Sequence, residues 1–410
     1  MTTMSARLSA MMFLQFFIWG GWFVTLGTFL SSNLGASGGQ IGMAFSTQSW
    51  GAIIAPFVIG LIADRYFNAE RILAVLHLIG AVLLFQLYRA ADFSTFYPFV
   101  LAYMMIYMPT LALVNSVAFR QMRDPALEFS RIRVWGTIGW IVAGVVISFV
   151  FAWDSQQAIS SGGLRNTFLM SAIASFALGL YSFTLPRTAP LPREPGSGGL
   201  KQMLGLDALG LLKDRSYLVF FIASILICIP LAFYYQNANP FLAEIGVTNP
   251  TAKMAIGQVS EVLFMLLLPL FIQRFGIKIA LLVGMLAWAL RYLLFAYGNN
   301  GDLAFMLFTG IALHGICYDF FFLSGQIYTD AKASERFRSS AQGLITLATY
   351  GLGMLIGFWV AGQVTDHYAS ADSHEWKSIW LFPAGFALAI FFCFSLAFNG
   401  RQAQAVQSNG

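Results

Sequence analysis

The chain has 410 residues, 58% of them hydrophobic and only 10% charged, against about 25% charged in an ordinary soluble domain; disorder is excluded by the same imbalance. The net charge of +5 does not mark a nucleic-acid binder, because the basic residues lie between apolar runs and form no patch. Cys228, Cys317 and Cys393 each sit inside an apolar run, and His77, His314, His367 and His374 show no metal-type spacing. The composition is that of an all-α polytopic membrane protein, and no nucleophile–base pair suggests an enzyme.

A bilayer-crossing helix needs about 20 mostly apolar residues. In chain order the sequence predicts twelve: 8–31, 40–63, 72–90, 96–119, 134–152, 166–186, 216–243, 253–273, 277–297, 302–327, 338–362 and 376–398. The first is too long for a signal-peptide core and lacks a small-residue cleavage site, so it is read as retained. Eighteen of the 23 Lys and Arg residues fall in one set of loops and the two termini, which predicts that both termini are cytoplasmic. The one composition break carries Pro190, Pro192, Pro195 and the glycine-rich run Gly196 to Gly199, the signature of a flexible linker. Leu200, Met203, Leu204, Leu206, Leu209, Leu211 and Leu212 follow it and predict a short amphipathic helix on the inner membrane surface. The expected organisation is a six-helix bundle over 1–186, a cytoplasmic linker over 187–215, a second six-helix bundle over 216–398 and a cytoplasmic tail over 399–410.

The two halves carry related loops. Gly60-Leu61-Ile62-Ala63-Asp64-Arg65-Tyr66 follows the second span, and Pro269-Leu270-Phe271-Ile272-Gln273-Arg274-Phe275-Gly276-Ile277-Lys278 follows the eighth. Both resemble the G-x-x-x-D-R-x-G-R-[RK] loop of the major facilitator superfamily, with Asn68, Glu70, Pro269 and Gln273 departing from it. The resemblance implies two six-helix halves that rock about a central site, with Asp64, Arg65 and Arg274 in gating loops.

Ionisable residues inside spans are costly and are candidate functional groups. Glu261 precedes a long apolar run and shares a helix face with Gln258 three residues earlier, which suits loading and release of a proton. Asp319 lies well inside span ten, in the segment His314 to Phe322. Arg133, Thr137 and Trp140 fall on one stripe of span five. Spans five and eight meet between the halves in the superfamily, so Arg133 is expected to face the cavity, with Asp319 as its partner. Arg291, in a usually peripheral span, is expected to be structural or to snorkel, and His77 to be a packing histidine. Gln15, Trp19 and Trp22 form a polar and aromatic stripe on span one. Tyr107, Tyr234, Tyr235, Tyr318 and Trp140 lie within other spans, where rings can stack a heterocycle. Gln236, Asn237, Asn239 and Pro240 are expected to interrupt span seven as a broken-helix gate.

Several separated motifs resemble the nucleoside:H+ symporter family. They include Phe13-Leu14-Gln15-Phe16 with Trp19, Gly20 and Trp22; Tyr107-Met108-Pro109-Thr110-Leu111; and Arg131-Ile132-Arg133-Val134-Trp135-Gly136-Thr137-Ile138-Gly139. Leu204-Gly205-Leu206-Asp207-Ala208, Gln258-Val259-Ser260-Glu261, Arg274-Phe275-Gly276-Ile277-Lys278, Tyr318-Asp319-Phe320-Phe321 and Ser340-Ala341-Gln342-Gly343 complete the set. The resemblance implies proton-coupled nucleoside uptake by alternating access across the cytoplasmic (inner) membrane. It assigns substrate contact to Arg133, Thr137, Gln258 and Asp319 and proton coupling to Glu261 and Asp319. Trp140 and Tyr318 stand where Phe is usual and are expected to line the base-binding part. His314 stands where Tyr is usual and is expected to contact substrate. The expected partners are a nucleoside or similar small polar substrate and the lipid bilayer; a monomer is expected, with the proton as coupling ion and no cofactor or metal. The competing readings are a proton symporter of another polar metabolite, such as a sugar or cell-wall fragment, and a non-transporting membrane sensor.

Overall fold

The computed structural model describes residues 3–58, 67–122, 125–189, 206–334, 338–370 and 373–399. Among them the architecture is helical, with a single isolated β-bridge between Ala369 and His374. Eight helices among the described residues are long and apolar enough to cross a membrane. The run Pro250–Tyr297 counts once among the eight, although Gly276 divides it.

Two compact units are present. One comprises Met1–Ser197 with Gly246–Ala255; the other comprises Gly198–Ile245 with Ile256–Gly410. In the first unit, Ala69–Arg89 packs against Asn166–Ser182 and Phe93–Gln121, and Thr3–Gly20 packs against Pro125–Val145. The segment Gly246–Ala255 joins this unit through Asp154, whose carboxylate accepts from Thr251 N at 3.0 Å, and Ser148, whose hydroxyl accepts from Ala252 N at 3.0 Å. In the second unit, Ile256–Tyr297 packs against Trp376–Ala397 and His314–Tyr318, while Arg215–Glu244 packs against Met354–His367.

Helices in lipid gain little from burying apolar surface against one another, so close approach at small residues carries much of the packing. At Gly139 a Cβ would overlap the carbonyl of Phe13, so the two helices meet backbone to backbone. Gly315 does the same in the second unit: a Cβ there would lie 2.6 Å from the carbonyl carbon and oxygen of Ser260 and 2.7 Å from Glu261 N. Helix starts follow their caps. Asp92 accepts from Thr95 N at 2.9 Å to open Phe93–Gln121. Asp214 accepts from Tyr217 N at 2.9 Å to open Arg215–Glu244 and also meets Lys332 Nζ at 3.0 Å.

Several expectations change. The first predicted span is not one helix: it breaks after Gly20 and resumes at Leu26. Gly21, where a Cβ would meet Ser171 Oγ at 2.6 Å, follows Gly20, and a glycine pair is a poor helix former. The expected interruption of span seven is absent, because the helix Arg215–Glu244 runs through Gln236, Asn237, Asn239 and Pro240. Asn237 donates to Thr365 Oγ1 at 2.9 Å, so its amide is satisfied by a neighbouring helix and does not compete for the backbone. Leu200, Met203 and Leu204 of the expected amphipathic segment lie outside the described residues, and the remainder is a 3₁₀ helix over Leu206–Lys213. Ala208 packs with Ala333, Ala341 and Leu344, with Leu211 and Phe221 beside them, so this segment covers protein as well as carrying the exposed Leu209.

The loop motif of the second half has a clear physical basis. Gly276 adopts φ 80° and ψ 165°, a conformation open essentially only to glycine. Just beyond it, Lys278 Nζ donates to the carbonyls of Ser395 at 3.0 Å and Phe398 at 2.7 Å, closing the end of the last helix. Arg274 is exposed and stands 5.5 Å from the Phe275 ring centroid. The gating residues Asp64 and Arg65 lie outside the described residues.

Candidate functional site

The polar and aromatic residues collect into one set in each unit. In the first, Arg133, Thr137 and Trp140 lie along Pro125–Val145 and are half-buried. The Arg133 guanidinium stands 4.1 Å over the Phe16 ring. Gly136 makes room for it: a Cβ there would fall 2.7 Å from Arg133 Nη1 and 2.6 Å from Phe16. The Trp140 ring meets Trp19 edge-on at 5.6 Å, and Trp19 meets Tyr107 at 5.7 Å.

Beneath these rings runs a hydrogen-bond network that joins four helices. Gln15 Nε2 donates to Thr110 Oγ1 at 2.7 Å, and Gln15 Oε1 lies 2.8 Å from His77 Nε2. An amide oxygen only accepts, so His77 carries its proton on Nε2. Ser175 Oγ lies 3.2 Å from His77 Nδ1 and 2.8 Å from the His77 carbonyl. Tyr107 donates to the Gln15 carbonyl at 2.7 Å. His77 is therefore the satisfied packing histidine expected. The stripe on span one divides: Gln15 and Trp19 belong to this network, whereas Trp22 is fully buried against Tyr103 and Phe168.

In the second unit, Glu261 is half-buried and Gln258, one turn earlier, likewise. Glu261 Oε2 lies 3.8 Å from His314 Nε2. On the opposite edge of the imidazole, Nδ1 lies 3.1 Å from Arg291 Nη1. The Arg291 guanidinium sits 3.4 Å over the Tyr234 ring, and Tyr234 is stacked on His314 with centroids 5.3 Å apart. Arg291 is 0% exposed, so it does not snorkel. The reason is the aromatic floor of Tyr234 with Trp288 and Phe295 nearby, which accepts a cation face-on.

Asp319 is 1% exposed, and its Oδ2 has no hydrogen-bond partner. It opens a π-helical turn, Asp319–Leu323, and such turns often mark functional sites in helices. Tyr318, immediately before it, hydrogen-bonds Tyr350 through their hydroxyls, and its ring stands 5.8 Å from His314 and 5.2 Å from Phe322. Tyr350 lies in a second π-helical stretch, Leu347–Gly353. The second unit thus brings together Glu261, His314, Tyr318 and Asp319 on adjoining elements, while Arg133, Thr137 and Trp140 belong to the first. Arg291 and Tyr350 are the residues that sequence reasoning did not place in the site. Tyr350 had a weak signal, as a hydroxyl within the glycine-bearing run Thr349 to Gly353 of an apolar span.

Residues 1–403 match the family model described as nucleoside H+ symporter. A putative nucleoside transporter, YegT, of Escherichia coli strain K12 is 42% identical over 406 residues, covering 96% of this chain and 94% of that protein. Xanthosine permease of the same organism is 34% identical, covering 97% of each. The crystal structure of the nucleoside transporter NupG superposes with a TM-score of 0.88 at 31% identity, over 97% of this chain and all of that one. With a family model spanning nearly the whole sequence and relatives matched along nearly their full length, the chain belongs to the nucleoside H+ symporter family.

Proposed function

We propose that this nucleoside symporter takes its coupling proton on Glu261 and that the two polar and aromatic sets hold the nucleoside during alternating access. The single observation that carries the reading is the Glu261–His314–Arg291 chain inside an apolar unit. A carboxylate there is costly without a compensating charge, and its protonation state therefore affects which conformations are accessible. Asp319, buried with an oxygen lacking a partner, serves as a second acceptor, for a proton or a ribose hydroxyl. Gln258, His314 and Tyr318 in the second unit and Arg133, Thr137 and Trp140 in the first are the residues assigned to substrate contact. Trp140 and Tyr318 offer π-faces to the base, and amide and hydroxyl groups offer edges to its heteroatoms.

In this reading the chain makes twelve crossings, in a first bundle over 1–186 and a second over 216–398, with both termini on the cytoplasmic side of the inner membrane, and works as a monomer. The bias of basic residues toward one set of loops supports the orientation. The glycine hinge at Gly276 supports counting 253–273 and 277–297 as separate crossings.

The test is uptake of a labelled nucleoside into transport-deficient cells, with a panel of unlabelled nucleosides, nucleobases and sugars as competitors. Nucleosides should compete and sugars should not. Glu261→Gln should abolish accumulation driven by a pH gradient while leaving nucleoside counterflow. Undiminished pH-driven accumulation in that variant removes Glu261 from the coupling step.

A further inference from the structure

A fully buried arginine poses a question of charge. Arg291 is 0% exposed, its Nε and Nη2 have no hydrogen-bond partner, and its Nη1 points at His314 Nδ1 at 3.1 Å. A guanidinium only donates and is charged at any working pH. His314 Nδ1 must therefore be the bare, accepting nitrogen, and the imidazole proton must reside on Nε2. That nitrogen is the one facing Glu261 Oε2 at 3.8 Å, a separation too long for a direct hydrogen bond but short for an electrostatic contact.

The arrangement has further consequences. A doubly protonated His314 would set an Nδ1–H against the Arg291 N–H and a second cation beside the first, so the imidazole is held neutral. The guanidinium is held in turn: Tyr234 lies under it at 3.4 Å and also stacks on His314 with an interplanar angle of 26°. One aromatic ring thus fixes the relative position of the cation and the imidazole. The polarised Nε2–H then directs positive charge at the carboxylate.

We propose that Arg291 is a positioning residue of the proton site: by donating to Nδ1 it selects the tautomer of His314 that presents an N–H to Glu261. This rests on the reading of Glu261 as the proton carrier. Arg291 touches neither proton nor substrate. It determines whether the group next to the carboxylate is a donor or a lone pair. With the lone pair turned to Glu261, the ionised carboxylate would be opposed and coupling would fail, even with the substrate residues intact.

The experiment has two parts on the full-length protein in lipid nanodiscs or proteoliposomes. The first is ¹⁵N NMR of histidine-labelled protein, with the His314 signals assigned by their loss in His314→Gln. The expected result for the native protein is a neutral imidazole protonated at Nε2; in Arg291→Met, that preference is lost. An imidazolium or an Nδ1-protonated ring in the native protein at neutral pH overturns the proposal, and this measurement needs no variant of Arg291 to fold. The second part compares pH-driven accumulation with counterflow. Arg291→Met should lower accumulation about 10- to 100-fold, by analogy with the loss on removing the partner that orients a metal-ligating histidine, and retain counterflow. Arg291→Lys, which keeps a cationic donor, should recover part of the loss. A parallel fall of accumulation and counterflow in Arg291→Met would assign Arg291 a structural role only. If Glu261→Gln accumulates normally while His314 shows the expected tautomer, it is the proton assignment that fails, not the role of Arg291 toward His314.

Discussion

Gly315→Ala tests whether the spacing of the second unit's site is set by helix contact. The methyl would be placed 2.6 Å from Ser260 C and O and 2.7 Å from Glu261 N, where carbon atoms normally rest about 3.5–4.0 Å apart. The obstacle is backbone, which has no rotamer to escape into, so the helices must part by roughly 1 Å. Overpacking of this kind costs about 1–3 kcal/mol. The displaced turn is the one bearing Glu261, and its partner His314 precedes the new methyl, so the 3.8 Å gap between them widens by a comparable amount. The bond from Gly315 N to Ser260 Oγ, 3.3 Å, stretches beyond use. Thermal unfolding of the purified transporter should show a midpoint several degrees lower, and pH-driven accumulation should fall by more than counterflow does. Gly385→Ala is the control: it lies within a helix of the same unit, and a Cβ there meets nothing within 4 Å. It should leave accumulation unchanged and the midpoint no lower than native, because alanine favours a helix over glycine. A Gly315→Ala protein with native midpoint and native accumulation would refute the claim that this contact sets the geometry of the proton site.

Other outcomes follow from single residues. Trp140→Ala and Tyr318→Ala should each raise the KM for nucleoside about five- to 150-fold, the equivalent of about 1–3 kcal/mol of base stacking; unchanged kinetics in both would remove them from the binding surface. Gly276→Ala should destabilise the fold by about 1–3 kcal/mol, because φ 80° with ψ 165° is strained for any residue with a Cβ, and thermal unfolding reads it. Asp214→Ala should cost about 1 kcal/mol for the lost cap, with a smaller part from Lys332. Burial alone would raise the Asp214 carboxyl, but the Tyr217 N–H and the Lys332 ammonium outweigh it and hold it below the usual carboxylate range. Its contribution is therefore present at neutral pH and is lost as pH falls below about 4 through the folded value; an acid-titrated midpoint that does not distinguish Asp214→Ala from the native protein at neutral pH would contradict this.

The residues whose placement was legible in the sequence are those that stand out against an apolar segment or share a helical period. Glu261 and Asp319 stand out because a carboxyl in an apolar run has few uses. Gly276 was visible only as part of a loop motif, and its φ of 80° shows why a glycine stands there. Arg133, Thr137 and Trp140 share a stripe because helical period is a property of the chain itself. What was not legible depends on partners distant in sequence. Asn237 reads as a helix breaker until Thr365, 128 residues away, takes its amide. The π-helical turns at Asp319 and Leu347 arise from a slip in backbone bonding that no hydropathy pattern records. Gly20 and Gly21 are poor helix formers in any context, but their close approach to Trp140 and Ser171 is visible only in the fold.

Arg291 is the most instructive of these residues. A lone cation in an apolar stretch is ordinarily assigned to the membrane surface, because its charge must reach water or an anion. Here the charge is carried instead by the face of Tyr234 and by one histidine nitrogen, groups 57 residues before it and 23 after it in the chain. The cation thereby acts on Glu261 through an intermediary whose two nitrogens have opposite roles, and that asymmetry is what a donor-only group imposes on an amphoteric one. A lysine at this position would supply the charge without the flat face that fits over Tyr234. A neutral residue would leave the imidazole free to present either edge. The direction of that hydrogen bond is thus what decides which edge of His314 faces Glu261.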